Sequence, residues 1–181
     1  MSLIADVRRI TAEYMGKIFA QQRLLKEHEK SREYFSEARF AEIERQLGLD
    51  MEAIKDECER KVRERVERYK AAISTADALN GSDLTDDAKL LNGDYPLTVN
   101  DLDAMIDRSA GNRTMEKLIH DYAREHGMSL SRTFYSAEQK SEAADGLVSY
   151  ARSCCQRPEY FDMMGSDEYF EEALSEAIKG E

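Results

Sequence analysis

The sequence predicts an all-α protein: a long, charged, amphipathic N-terminal helical hairpin or coiled-coil-like arm, followed by a small acidic bundle of short helices. Three observations carry this. Apolar residues recur at spacings of three and four through the first 79 residues, helix caps and glycine stops punctuate the rest, and no segment alternates with a period of two. Composition agrees, with 35% charged residues, no Trp and only two Pro in 181 residues.

From about Ile4 to Leu47 the stripe is Ile4, Val7, Ile10, Tyr14, Ile18 and Leu25, continued less cleanly by Phe35, Ala38, Ala41 or Glu42, and Leu47. The polar stretch RLLKEHEKSRE between these two parts reads as an exposed turn of helix or a break. A continuous helix here would be roughly 65 Å long. Gly48 is expected to end it and Asp50 to cap the next, which runs to about Leu79 on the stripe Met51, Ile54, Cys58, Val62, Val66, Tyr69, Ile73 and Ala76. Four-residue steps from Ile54 to Val66 interrupt a strict heptad, so a supercoil would carry a stutter. The simplest arrangement is an αα-hairpin that buries its stripes against itself, a second copy, or both. For self-association the expected residues are Val7, Ile10, Tyr14, Ile18, Val62, Val66, Tyr69 and Ile73.

Asn80-Gly81-Ser82-Asp83 marks the clearest boundary, dividing an arm over 1–79 from a bundle over 80–181. Beyond it, Thr85 is placed to cap a brief helix to Leu91, which Asn92-Gly93 stops. Tyr95-Pro96 forces an extended step, and Thr98 with Asp101 makes a capping-box start. Ala110-Gly111-Asn112 breaks that helix, another runs from about Arg113 to His126 and ends at Gly127, and Ser136 with Gln139 boxes a helix reaching Cys155. Met105, Ile106, Met115, Leu118, Ile119 and Tyr122 are the expected small core. Pro158 opens a short helical turn and Ser166 caps a last helix.

Charge is unevenly placed. Residues 1–79 hold 16 basic and 16 acidic side chains, whereas 80–181 hold 10 and 21, so the second part carries the whole net charge of −11. Such a body repels nucleic acid and anionic membrane surfaces and suits a basic protein partner. Cys58, Cys154 and Cys155 form no Cys-x-x-Cys pair, and no apolar run approaches about 18 residues. A reduced, cytoplasmic protein is expected.

Motifs for chemistry are missing from the sequence. His120 and His126 fall on different helix faces, Glu116 and His120 lack companions, and NGSDLTDDAKLLNGD lacks the spacing of a calcium loop. There is no Gly-rich phosphate loop or nucleophile motif. No catalytic residue, metal or cofactor is therefore assigned, and the protein is expected not to be an enzyme. A helix-turn-helix over DLDAMIDRSAGNRTMEKLIHDYAREHG would offer Arg113, Lys117 and Arg124, offset by Glu116, Asp121 and Glu125. The final segment pairs Tyr with Phe at 160–161 and 169–170 among eight acidic residues. Its amphipathic face reads as a helix packed on its own domain, or as one docking into a basic-rimmed groove through Tyr169, Phe170, Leu174 and Ile178.

Residues 88–127 carry Leu90-Leu91-Asn92, an extended Leu97-Thr98, an acidic helix, Asn112-Arg113-Thr114-Met115 and Tyr122-Ala123. This pattern resembles small structural or assembly proteins of tailed phages and prophages of Gram-positive bacteria, and the charged helical N-terminus fits them. The resemblance implies a non-enzymatic role in virion assembly, scaffold-like or head-associated, with itself and another phage or host protein as partners. The acidic terminus departs from the basic coat-binding helix common among scaffolding proteins. The alternative expectation is an acidic decoy that occupies a basic nucleic-acid-binding surface on another protein.

Overall fold

The structure is a computed structural model that describes residues 2–93, 95–159, 161, 177 and 178. Among the described residues it is all-helical: α1 (Leu3–Lys30), α2 (Glu37–Ala76), α3 (Asp87–Leu91), α4 (Val99–Arg108), α5 (Arg113–Glu125) and α6 (Ala137–Gln156). Short 3₁₀ turns stand at Arg32–Tyr34 and Gly81–Asp83. No described helix is long and apolar enough to cross a membrane.

The chain divides into two compact units. The first joins Met1–Tyr69 to Ser141–Glu181, and the second is Lys70–Lys140. This differs from the expected division at residues 79 and 80. The periodic stripe of α2 continues through the division without a break, and the chain returns in α6 to the unit it left.

In the first unit α1 and α2 run antiparallel, and three bonds set their register. Arg65 Nε donates to Asp6 Oδ2 at 2.8 Å, Gln21 Nε2 to the Leu47 carbonyl at 2.9 Å, and His28 Nε2 to the Phe40 carbonyl at 3.0 Å. Tyr14, Met15 and Ile18 of α1 pack with Met51 and Cys58 of α2 and with Cys154 and Cys155 of α6 in one apolar cluster. Arg152 of α6 reaches Glu59 of α2 at 2.8 Å. The hairpin is thus the larger part of a three-helix assembly.

Gly48 does not end a helix. The break falls in the polar stretch upstream, where Ser31 Oγ donates to the His28 carbonyl at 2.7 Å and Ser36 Oγ accepts from the Arg39 amide at 3.4 Å. A glycine inside a helix costs only about 1 kcal/mol relative to Ala, and it stops one when it takes up positive φ. Gly48 does not, whereas Gly111 (φ 84°) and Gly127 (φ 67°) do. Asp50, expected as a cap, lies within α2 and accepts from Gln46 Nε2 at 2.9 Å.

The second unit follows its punctuation. The Thr98–Asp101 capping box forms in both directions, with bonds of 3.3 and 2.9 Å. Asn112 Oδ1 accepts from the Met115 amide at 3.1 Å, and past Gly127 the Met128 amide closes α5 on the Ala123 carbonyl at 2.8 Å. Ser136 and Gln139 exchange bonds at the head of α6. Thr85 is an exception: α3 is capped by Asp86 without a side-chain bond. Leu97, Leu102, Met105, Ile106, Ile119 and Ala123 are the core of this unit. Met115 is buried too, while Leu118 and Tyr122 are only half-buried.

Candidate functional site

The stripe expected to meet a second copy is turned toward its own chain. Val7, Tyr14, Ile18, Val62, Val66, Tyr69 and Ile73 are all buried, and Ile10 is partly buried against the Tyr14–Cys58 cluster. In the single chain these side chains are covered by other parts of the same chain. Of the expected docking residues, Ile178 is buried, and Tyr169, Phe170 and Leu174 lie outside the described residues.

The cysteines are packed away as well. Cys58 and Cys155 lie in hydrogen-bond contact, and that bond together with burial pushes the Cys58 thiol up. Burial also raises Cys154, and it raises the Tyr150 phenol beside it. Cys58 and Cys154 therefore resist becoming the thiolate that nucleophilic or metal chemistry requires, whereas the bond from Cys58 lowers Cys155.

The second unit has the surface features. A cleft of about 750 Å³ is lined by Lys117, His120, Arg124, Arg132 and Phe134 among others. The imidazole of His120 stacks on Phe134, centroids 5.4 Å apart, and the Arg113 guanidinium lies 4.4 Å from the centroid of the same ring. Burial lowers the His120 pKa, with partial opposition from Glu116, Asp121 and Asp103. Arg124 and Arg132 are paired with Asp121 (2.7 Å) and Asp107 (3.0 Å), so much of the cationic lining is already neutralised. His120 makes no side-chain hydrogen bond among the described residues. Arg113, a candidate for contacting nucleic acid in the sequence, instead binds Asp77 at 2.6 Å. Asp77, with its side chain 8% exposed, also accepts the Ala137 amide at 2.6 Å, placing a carboxylate at the positive end of α6. No group of three or more His, Cys, Asp or Glu is arranged for a metal among the described residues.

A groove lies between α3 and α5. One stretch, about 260 Å³, is lined by Leu79, Leu84, Ala88, Thr114 and Leu118; the next, about 240 Å³, by Ala88, Leu91, Leu118, Tyr122 and Glu125. Ala88, Asn92 and Leu118 belong to both, so the two adjoin along α5. Leu79 and Leu84 are 59% and 49% exposed. Leu90 and Tyr95 add exposed apolar surface to the same unit, and Tyr34 and Phe35 do so at the turn between α1 and α2.

Sequence reasoning placed Leu118 in the core and took no notice of Leu79 and Leu84. A signal was present. Leu84 stands within a Gly/Asn/Asp-rich connection and Leu79 just before it, beyond the last stripe residue Ala76, where an apolar side chain has few periodic partners to bury it. Comparisons with protein-family models, with curated proteins and with solved structures give no match to this chain. The class defined by the fold alone is an all-α protein in which a long helix pair is followed by shorter helices.

Proposed function

We propose that the protein acts by contact with other proteins, without chemistry of its own, as a structural or assembly component of a tailed phage or prophage. The observation that supports contact is two pairs of exposed large apolar side chains in the second unit, Leu79 with Leu84 and Leu90 with Tyr95, each pair lining a groove that the unit's own core leaves open. Apolar residues exposed in a group, rather than singly, mark interaction surfaces. The phage assignment is supported by the pattern over residues 88–127 alone. A decoy for nucleic acid has less behind it, because a row of free carboxylates is what such a surface needs. Here Asp86, Asp87, Asp107 and Asp121 are bound to this chain's own Lys89, Arg108, Arg132 and Arg124.

Sedimentation tests the proposal. A tagged full-length chain, expressed in its own host through induction, should travel with heads, tails or their precursors. A chain that stays at its monomer mass, both purified at high concentration and in the induced lysate, would sink it.

A further inference from the structure

We infer that the α3–α5 groove is a docking site for a basic amphipathic helix of another protein; this rests on the contact reading above and supplies the partner's chemistry. Length comes first. Thr114, Leu118, Tyr122 and Glu125 succeed one another along α5 at the spacing of successive turns, so the groove wall extends about 16 Å, the rise of about 11 helical residues. A three-turn helix fits that span, and an apolar stripe at i, i+4 and i+7 would fall on Leu84, Leu118 and Leu91 in turn.

Charge decides between occupants. Between Asn80 and Asp103 the chain carries six acidic residues and one basic one. Two carboxylates near opposite ends of the groove have no ion-pair partner among the described residues: Asp83, next to Leu84, and Glu125, in the far lining. The cations nearby are already engaged, Lys89 with Asp86 at 2.6 Å and Arg124 with Asp121 at 2.7 Å. An acidic helix would meet uncompensated like charge, whereas Lys or Arg flanking an apolar stripe would meet free carboxylates. A second copy of this chain, with its net charge of −11, is disfavoured on the same ground.

The test is fluorescence anisotropy with the full chain and a labelled Leu/Lys amphipathic peptide of about 14 residues, slightly longer than the groove. A control peptide has Glu in place of every Lys. The Leu/Lys peptide should bind saturably and at least about tenfold more tightly than the control. Leu84→Ser should weaken it about tenfold, as loss of one buried leucine contact does. Leu84 is half exposed, so its replacement leaves the fold intact, and Leu24→Ser on α1, equally exposed, should change nothing. Equal binding of both peptides, or equal behaviour of Leu84→Ser and Leu24→Ser, overturns the inference. So does self-association of the free chain that Leu84→Ser abolishes. If the peptide fails while the chain still sediments with phage assemblies, only the groove assignment falls. If it binds and the chain joins no assembly, the groove stands and the phage assignment falls.

Discussion

The two units solve the problem of helix formation in opposite ways. In Met1–Tyr69 with Ser141–Glu181 the helices are long, and their outer faces are laced with ion pairs at three and four residues, such as Lys17–Glu13, Arg45–Glu42, Arg63–Glu59 and Arg60–Glu64. In Lys70–Lys140 the helices have 5 to 13 residues, and side chains cap the two longer ones, α4 and α5. A helix pays its nucleation penalty once, so a long one needs only a continuous apolar stripe to hold it. A short one depends on its ends, because unsatisfied amides are a large fraction of its backbone. Stripe and cap are separable devices, and this chain uses them in separate places.

The largest expected effects test whether the units are distinct. Ile18 in α1 and Ile119 in α5 are both fully buried, and each replacement by Ala should cost about 2–4 kcal/mol in urea denaturation. Hydrogen exchange should then quicken first in the unit that carries the change. Equal quickening in both would erase the distinction.

Next come the caps. Thr98→Ala removes the hydroxyl half of a reciprocal box, leaving the bond from the backbone amide at 98 to Asp101, and should destabilise by about 1 kcal/mol. Ser36→Ala at the head of the long α2, where the bond is 3.4 Å, should cost only a few tenths. Similar losses at the two sites would mean that long and short helices rely on caps alike. Gly48→Ala works in the other direction. An added Cβ meets nothing within 4 Å, so thermal denaturation should show a gain of about 0.5–1 kcal/mol.

The smallest effect is electrostatic. Hydrogen bonds from Arg152 and then Arg63 hold Glu59 down to about 2, from an ordinary value of 4.5. A depressed carboxylate stabilises the fold above its unfolded pKa, and that contribution disappears as pH falls from about 4.5 toward 2. With Arg152 half exposed, solvent screening keeps it below about 1 kcal/mol. The difference in urea midpoint between the parent and Glu59→Gln should shrink steadily between those pH values. A constant gap would show that the ion pair does not carry it.

The same contrast explains how much could be read from the sequence. In the second unit the punctuation was nearly sufficient: Thr98 with Asp101, Ser136 with Gln139, and Gly127 all act where their residue types place them. In the first unit the stripe was legible from Val7 to Ile18 and from Met51 to Ile73, but its partner was not. Periodicity says that a face is covered; it does not say that Cys154 and Cys155, almost a hundred residues beyond Cys58, do the covering. Gly48 misled because a glycine stops a helix only where the backbone turns left-handed, and the helical stripe on both sides of Gly48 holds the backbone right-handed through it. The groove was hidden for a related reason. Leu118 sits on the same helix as buried Met115 and Ile119, yet it is only half-buried and lines the groove beside α3, which spacing along α5 alone does not show.

The return of α6 to the first unit has a consequence for biosynthesis. As the chain leaves the ribosome, α1 and most of α2 emerge with the Tyr14, Ile18, Met51 and Cys58 cluster still lacking the cover of Cys154 and Cys155, which arrive only after the whole of Lys70–Lys140. The inserted unit carries its core entirely within that interval, so it is complete in sequence before the first unit can be. The hairpin of α1 and α2 is thus made before the inserted unit and finished after it.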